Sequence, residues 1–268
     1  MKIARTFVGI ALALAFFTLT ASAQPASPGY HSVACLKLKP DSSTDFQKFM
    51  ADDVHKVAQG RVADGELTGW YLLRAVFPSG DSVQCDYLIV AIFPKLPHAF
   101  GSEVLDAAIK KAGLSIKPED YVKRRNSLSK VVSTAVYQNQ ASVGSPKKGD
   151  YFQINYMKVN EDNLNDWVAL EKQVWKPLAE QLVKDGKQDG WSLNTRSMPF
   201  GTDMPFQGVT VDVYPSMDAV FEQDPQFVER FRKVHPDIEI GTTIERFEKL
   251  RSQALAELYV LDDIVTAQ

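Results

Sequence analysis

Cysteine is nearly absent from this chain. Its 268 residues include two, Cys35 and Cys85, too few for a disulfide scaffold or a cluster of zinc-binding thiolates. Histidine is scarce too: His31, His55, His98 and His235 form no pair at zinc-binding spacing. No charge of one sign dominates. Thirty basic and 33 acidic side chains leave a formal charge of −3, which excludes the basic footprint of a nucleic-acid-binding protein. The glycine-rich phosphate loop, the dinucleotide-binding glycine motif and the Gly-x-Ser-x-Gly elbow are all missing. What is present, 45% hydrophobic and 24% charged residues, is the composition of a globular protein.

One apolar run stands out, at the start. Lys2 and Arg5 precede Phe7–Leu19, and Ala21-Ser22-Ala23 follows as a small-residue cleavage pattern. This reads as an export signal cut before Gln24, its core being short for a membrane span of about 20 residues. An uncleaved anchor is the alternative. No later stretch approaches spanning length. The expected mature chain is periplasmic or secreted, soluble, free of the membrane after cleavage, and carries −5.

The remainder repeats itself at a constant offset of 121. Gly69-Trp70-x-Leu72 matches Gly190-Trp191-x-Leu193, Asp64-Gly65 matches Asp185-Gly186, and Pro78-x-Gly80 matches Pro199-x-Gly201. Each copy starts with an apolar and aromatic strand, Tyr30–Leu38 or Tyr151–Val159. A helix of about twenty residues follows, with Phe46, Phe49, Val54, Val57 and Val62 in one copy and Trp167, Leu170, Val174, Leu178 and Leu182 in the other at helical spacing. Two strands come next, ending with Asp86–Phe93 and Gln207–Tyr214. A second helical region follows, clearest over Thr243–Leu255, and then a last strand around Ala135–Gln138 or Leu258–Val265. This βαββαβ order predicts an α+β chain of two tandem ferredoxin-like repeats. Residues 1–23 are the signal peptide, 24–137 the first repeat, 138–149 a linker rich in turn residues, and 150–268 the second repeat. A ferredoxin-like sheet leaves one face bare, so two copies are expected to pack sheet to sheet. A chain that covers its own sheets needs no partner, and a monomer with an internal pseudo-dimer is expected.

The duplicated unit, with its Gly-Trp strand start and its Phe77-Pro78-Ser79-Gly80 hairpin, resembles the dimeric α/β-barrel superfamily, which includes antibiotic-biosynthesis-monooxygenase, NIPSNAP and haem-binding types. The resemblance spans roughly residues 30–265. It implies a pseudo-dimeric barrel with a central cavity, and it implies no single chemistry. Haem-binding relatives use a helical histidine as axial ligand, so His55, His98 and His235 are the candidates should haem be bound; no cofactor is the expectation.

Alternation assigns residues to the cavity. The aliphatic sets Leu88, Val90, Ile92 and Val209, Val211, Val213 are expected to face the helices, together with Trp70, Leu72, Trp191 and Leu193. The opposite sets then face the cavity: Tyr71 and Tyr87 from copy one, and Asn194, Arg196, Thr210, Asp212 and Tyr214 from copy two, with Cys35 and Tyr156 from the first strands. One wall is then apolar and the other polar, which suits a small, partly apolar ligand. Alternatively the polar half is wet, or Arg196 pairs with a carboxylate at the rim.

Catalytic constellations are sparse. Asp52 and His55 lie one helical turn apart, as proton-sharing groups or as a solvated helix face. Ser127-x-x-Lys130 lacks the partners of a penicillin-binding nucleophile and reads as surface helix. Cys35 and Cys85 fall on neighbouring strands and one face; a bridge and two buried thiols both fit. Three readings follow: an exported binding protein for a small ligand, a cofactor-free monooxygenase acting on an aromatic substrate, and an exported structural or stress-related protein without small-molecule chemistry.

Overall fold

The computed structural model describes residues 29–80, 83–96, 102–201 and 203–267. The expected leader, its cleavage site and His98 lie outside the described residues.

The first half runs β1 (Tyr30–Leu38), α1 (Ser43–Phe49), a π turn (Met50–Val54), α2 (His55–Ala63), β2 (Gly69–Phe77), β3 (Tyr87–Phe93), α3 (Ser102–Lys111), α4 (Pro118–Leu128) and β4 (Ser129–Gly144). The second half runs β5 (Tyr151–Val159), α5 (Leu164–Lys184), β6 (Gly190–Met198), β7 (Gly208–Tyr214), α6 (Met217–Phe221), α7 (Phe227–Val234), α8 (Ile240–Leu250) and β8 (Arg251–Thr266). The main differences from expectation concern helix continuity and element ends. The first long helix is interrupted by the π turn, whereas α5 is continuous over 21 residues. The last helix stops at Leu250, and Arg251 already belongs to a 16-residue strand. Residues 138–144, expected in the linker, are the second half of β4, which leaves only a short turn before β5.

The eight strands close into one antiparallel barrel in the order β1-β3-β2-β8-β5-β7-β6-β4. The length of β4 and β8 is the reason. The first part of β4 pairs with β1 and its end with β6; the first part of β8 pairs with β5 and its end with β2. Each long strand thus seals an edge of the opposite half, and neither sheet keeps a free edge that invites other chains.

Helices cover the outside. Trp167, Leu170, Val174 and Leu178 recur at helical spacing on α5 and are essentially fully buried against β5 and β6, with Trp191 and Leu193 beneath. Phe46, Phe49 and Val57 do the same over Trp70 and Leu72. Each such side chain contributes about 1.5–3 kcal/mol of apolar burial. The helices end where Gly65 and Gly186 adopt positive φ, 71° and 70°, a conformation that glycine reaches without steric cost. Among the described residues, no helix is long and apolar enough to cross a membrane.

Candidate functional site

Barrel closure decides which strand faces look inward, and on β3 and β7 the result reverses the expectation. Leu88, Val90 and Ile92, with Val209, Val211 and Val213, line the interior. Tyr87, Thr210, Asp212 and Tyr214, expected in the cavity, point outward to the helical layers. Tyr87 packs on Phe46 with ring centroids 4.8 Å apart and accepts a hydrogen bond from Gln47. Asp212 and Tyr214 line a separate pocket under α6 and α7. The physical reason is that both faces of these strands are buried, so an aliphatic set does not by itself mark the helix side.

Four other expectations have the right face. Tyr71, Tyr156 and Asn194 line a cavity of about 300 Å³ inside the barrel, and Arg196 also points inward, beyond its floor. The cavity walls are mostly aliphatic, joined by the ring of Phe152, which meets Tyr71 edge-on at 6.1 Å. The rim is formed by Gly29, Gly144, Pro146 and Gly190 at one barrel end. One polar strip crosses the wall along β4 and β6. Ser142 donates to the Asn139 side chain (3.1 Å), Asn139 donates to Asn194 (3.0 Å), and Asn194 donates to Ser192 (3.0 Å).

The other end of the barrel is filled. Arg196 donates from Nη2 to the Tyr137 hydroxyl at 3.0 Å and lies 4.1 Å from the centre of the Phe206 ring. Phe206 packs against Tyr156 with ring centroids 4.5 Å apart and the planes tilted by 57°. The hydroxyls of Tyr156 and Tyr259 both donate to one oxygen of Glu257, at 2.9 and 3.0 Å. Arg196 therefore meets a phenol and a ring, not the rim carboxylate considered as an alternative, and among the described residues its Nε has no partner. Cys35 and Cys85 form a disulfide in the same filled end, with Cα atoms 5.1 Å apart, so the bridged alternative holds.

Two polar side chains in the cavity make no side-chain hydrogen bond among the described residues: His31 and Tyr71. His31 is enclosed by protein on nearly every side yet turns part of its ring toward the cavity. Burial lowers its pKa from 6.5 to about 4, so at neutral pH the ring is uncharged, with one donor and one acceptor nitrogen. Burial also raises Tyr71 and Tyr137, and raises Tyr156 well above the usual phenol range, with Glu257 adding to the last. These phenols act as neutral donors. Sequence reasoning missed His31 and Tyr137. The signal was available: the parity that turns Cys35 inward also turns His31 inward. Tyr137 lies on β4, whose faces the short expected strand did not define.

The remaining expectations resolve individually. His55 meets Asp263 at 2.8 Å, not Asp52. His235 shares a hydrogen bond with the Val174 carbonyl in the helical layer. Ser127 ends α4 and donates to the Arg124 carbonyl, while Lys130 is already in β4. Trp70, Trp167 and Trp191 are core residues, and Trp175 borders the outer pocket. Among the described residues, no three His, Cys, Asp or Glu side chains gather as a metal site. Neither His55 nor His235, the described histidines considered as haem ligands, lines the barrel cavity.

A candidate monooxygenase from Fusobacterium nucleatum subsp. nucleatum superposes with a TM-score of 0.57 at 12% identity, over 91% of this chain and 96% of that one. A candidate monooxygenase from Lactobacillus acidophilus gives 0.55 at 11% identity, over 90% and 97%. The fold is the dimeric α+β barrel. A haem-binding protein from Thermus thermophilus scores 0.47 at 9% identity, over 88% and 92%, too distant to carry an argument. No protein-family model matches the chain, and no curated protein matches it by sequence. Identities this low establish the fold alone.

Proposed function

We propose that the protein binds a small, largely apolar molecule with one or two polar groups inside the barrel. The observation that carries this is the pairing of an aliphatic cavity of about 300 Å³ with two polar side chains in its wall, His31 and Tyr71, that make no side-chain hydrogen bond among the described residues. Both side chains are half-buried and open to the cavity, where a ligand hydroxyl or carbonyl would take the hydrogen bonds that they do not make within the protein. The neutral state of His31 favours uncharged ligands. 1-Naphthol and naphthalene, titrated calorimetrically, test the reading. Naphthol is expected to bind at least tenfold more tightly, with His31→Leu erasing the difference and Val90→Trp abolishing both by filling the cavity. Equal binding to wild type and Val90→Trp would refute it.

A second reading, a cofactor-free oxygenase, is favoured by the same neutral imidazole. His31 can accept a hydrogen bond from the hydroxyl of a bound phenol, and the electron-rich ring reduces dioxygen. One oxygen atom enters the ring carbon that loses its hydrogen, the other leaves as water, and naphthol becomes naphthoquinone. Oxygen uptake with naphthol, absent in His31→Gln, supports catalysis; binding without uptake leaves the first reading.

The chain is proposed to be exported after loss of Met1–Ala23, which the Cys35–Cys85 bridge supports, because disulfides persist in oxidising compartments. The two halves are proposed to descend from one duplicated unit, and single-chain closure supports a monomer.

A further inference from the structure

A second pocket, of about 290 Å³, lies outside the barrel between the outer face of β6 and β7 and the helices α5, α6 and α7. Four aromatic side chains border it: Trp175, Trp191, Tyr214 and Phe227. At its base is Asp212. One carboxylate oxygen accepts from Asn155 at 2.9 Å and the other from Gln188 at 3.3 Å. Among the described residues, no cation pairs with it. Lys187, also at the pocket, pairs with Glu222 at 3.5 Å, and Asp224 pairs with Arg230 at 3.1 Å. The Gln188 Oε1 is buried in the same wall, without a hydrogen-bond partner among the described residues.

This polar base belongs to the second half alone. At the positions 121 residues earlier stand Ala34 for Asn155, Leu67 for Gln188, Ala91 for Asp212 and Phe93 for Tyr214. The correspondence is structural as well, since Ala91 opposes Trp70 as Asp212 opposes Trp191. The scaffold is therefore built with alanine and leucine at these places, and the carboxylate serves something other than the sheet. An enclosed carboxylate without a counter-charge is unfavourable. Aromatic faces carry negative potential and attract cations. Both features ask for the same ligand.

We propose that this outer pocket binds a small organic cation, its ammonium head held by Asp212 and the aromatic walls. The site shares Trp191 with the barrel cavity, whereas Asp212, Tyr214 and Phe227 border the outer pocket alone. Burial pushes Asp212 up to about 6, so the cation binds better as pH rises through that value. The other ionisable groups around the pocket are Lys187, Glu222, Asp224 with Arg230, and Tyr214, whose burial raises it to about 12; Glu171 on α5, pushed up to about 8 by burial, also feels the Asp212 charge.

Trp175, which borders this pocket and not the barrel cavity, makes tryptophan fluorescence a reporter of the site. Full-length mature protein is titrated with choline and with 2-phenylethylammonium, and with 3,3-dimethylbutan-1-ol as the uncharged isostere of choline. At least one cation is expected to bind, choline at least tenfold more tightly than its isostere if choline is the one. Asp212→Asn is expected to weaken the cation at least tenfold, and affinity is expected to rise between pH 5 and 7. Failure of both cations to bind, equal affinity for choline and its isostere, or unaltered binding in folded Asp212→Asn overturns the proposal. Should Asp212→Asn not fold, the wild-type pH profile decides: a flat profile overturns it.

Discussion

His31 and Asp212 are both surrounded by protein, and both face a space the protein does not fill. Burial moves them in opposite directions, and the signs separate them. His31 falls from 6.5 to about 4, so between those values the unfolded chain holds a proton that the folded one lacks. Its contribution is complete above pH 6.5 and is lost as pH falls toward 4, by up to about 3 kcal/mol. Asp212 rises from 3.8 to about 6, so the folded chain holds the extra proton. Its contribution is complete below 3.8 and is lost as pH rises through 6, again by up to about 3 kcal/mol. Denaturant unfolding of single variants measures each. Relative to wild type, His31→Gln is expected to gain stability as pH falls from 6.5 to 4, and Asp212→Asn as it rises from 4 to 7. Parallel pH profiles for wild type and variant would show that the group is solvated in the folded state.

At the level of the element, periodicity located β1 and β5 to the residue, because an alternating strand bounded by turn residues is a local signal. It could not orient β3 and β7, because orientation there depends on what lies across the barrel. The pair Tyr87 and Gly208 makes the point. They occupy equivalent positions, yet one is the largest residue of its set and the other has no side chain. The helix above compensates: Phe46 packs on Tyr87, whereas Trp167 takes the space over Gly208. A Cβ on Gly208 would run into the Trp167 ring, which is fully buried and donates its indole N–H to Glu171 at 2.9 Å. Gly208→Ala is therefore expected to cost about 1–3 kcal/mol, as overpacking does. Its melting temperature should drop by several degrees while the barrel cavity keeps its ligand affinity; an unchanged melting temperature would mean that Trp167 has room to move. Asn194, Tyr71 and Tyr156 were legible as cavity residues because on β5 and β6, and in the middle of β2, the expected parity matches the closed barrel.

On the scale of the whole molecule, the same single chain must close eight strands and still leave a hollow at one end. Hydrogen bonding along β4 and β8 closes the sheet, but the filled end has to stop the hollow from running through. The Cys35–Cys85 bridge lies there, joining β1, where Cys35 pairs with Leu88 across the sheet, to the segment just before β3. It closes a chain segment with a sequence separation of 50. Loop-closure entropy for such a segment gives about 4 kcal/mol, acting on the unfolded chain. Cys35→Ala with Cys85→Ala removes that constraint and also two buried side chains from the interior. The double variant is expected to lose about 2–4 kcal/mol in urea unfolding and to keep its far-ultraviolet dichroism, because the strand ladders do not depend on the bridge. Reductant is expected to lower the wild-type midpoint toward that of the variant and to leave the variant unmoved. A wild type indifferent to reductant, with two thiols titrating after denaturation, would show that the sheet alone holds that end of the barrel shut.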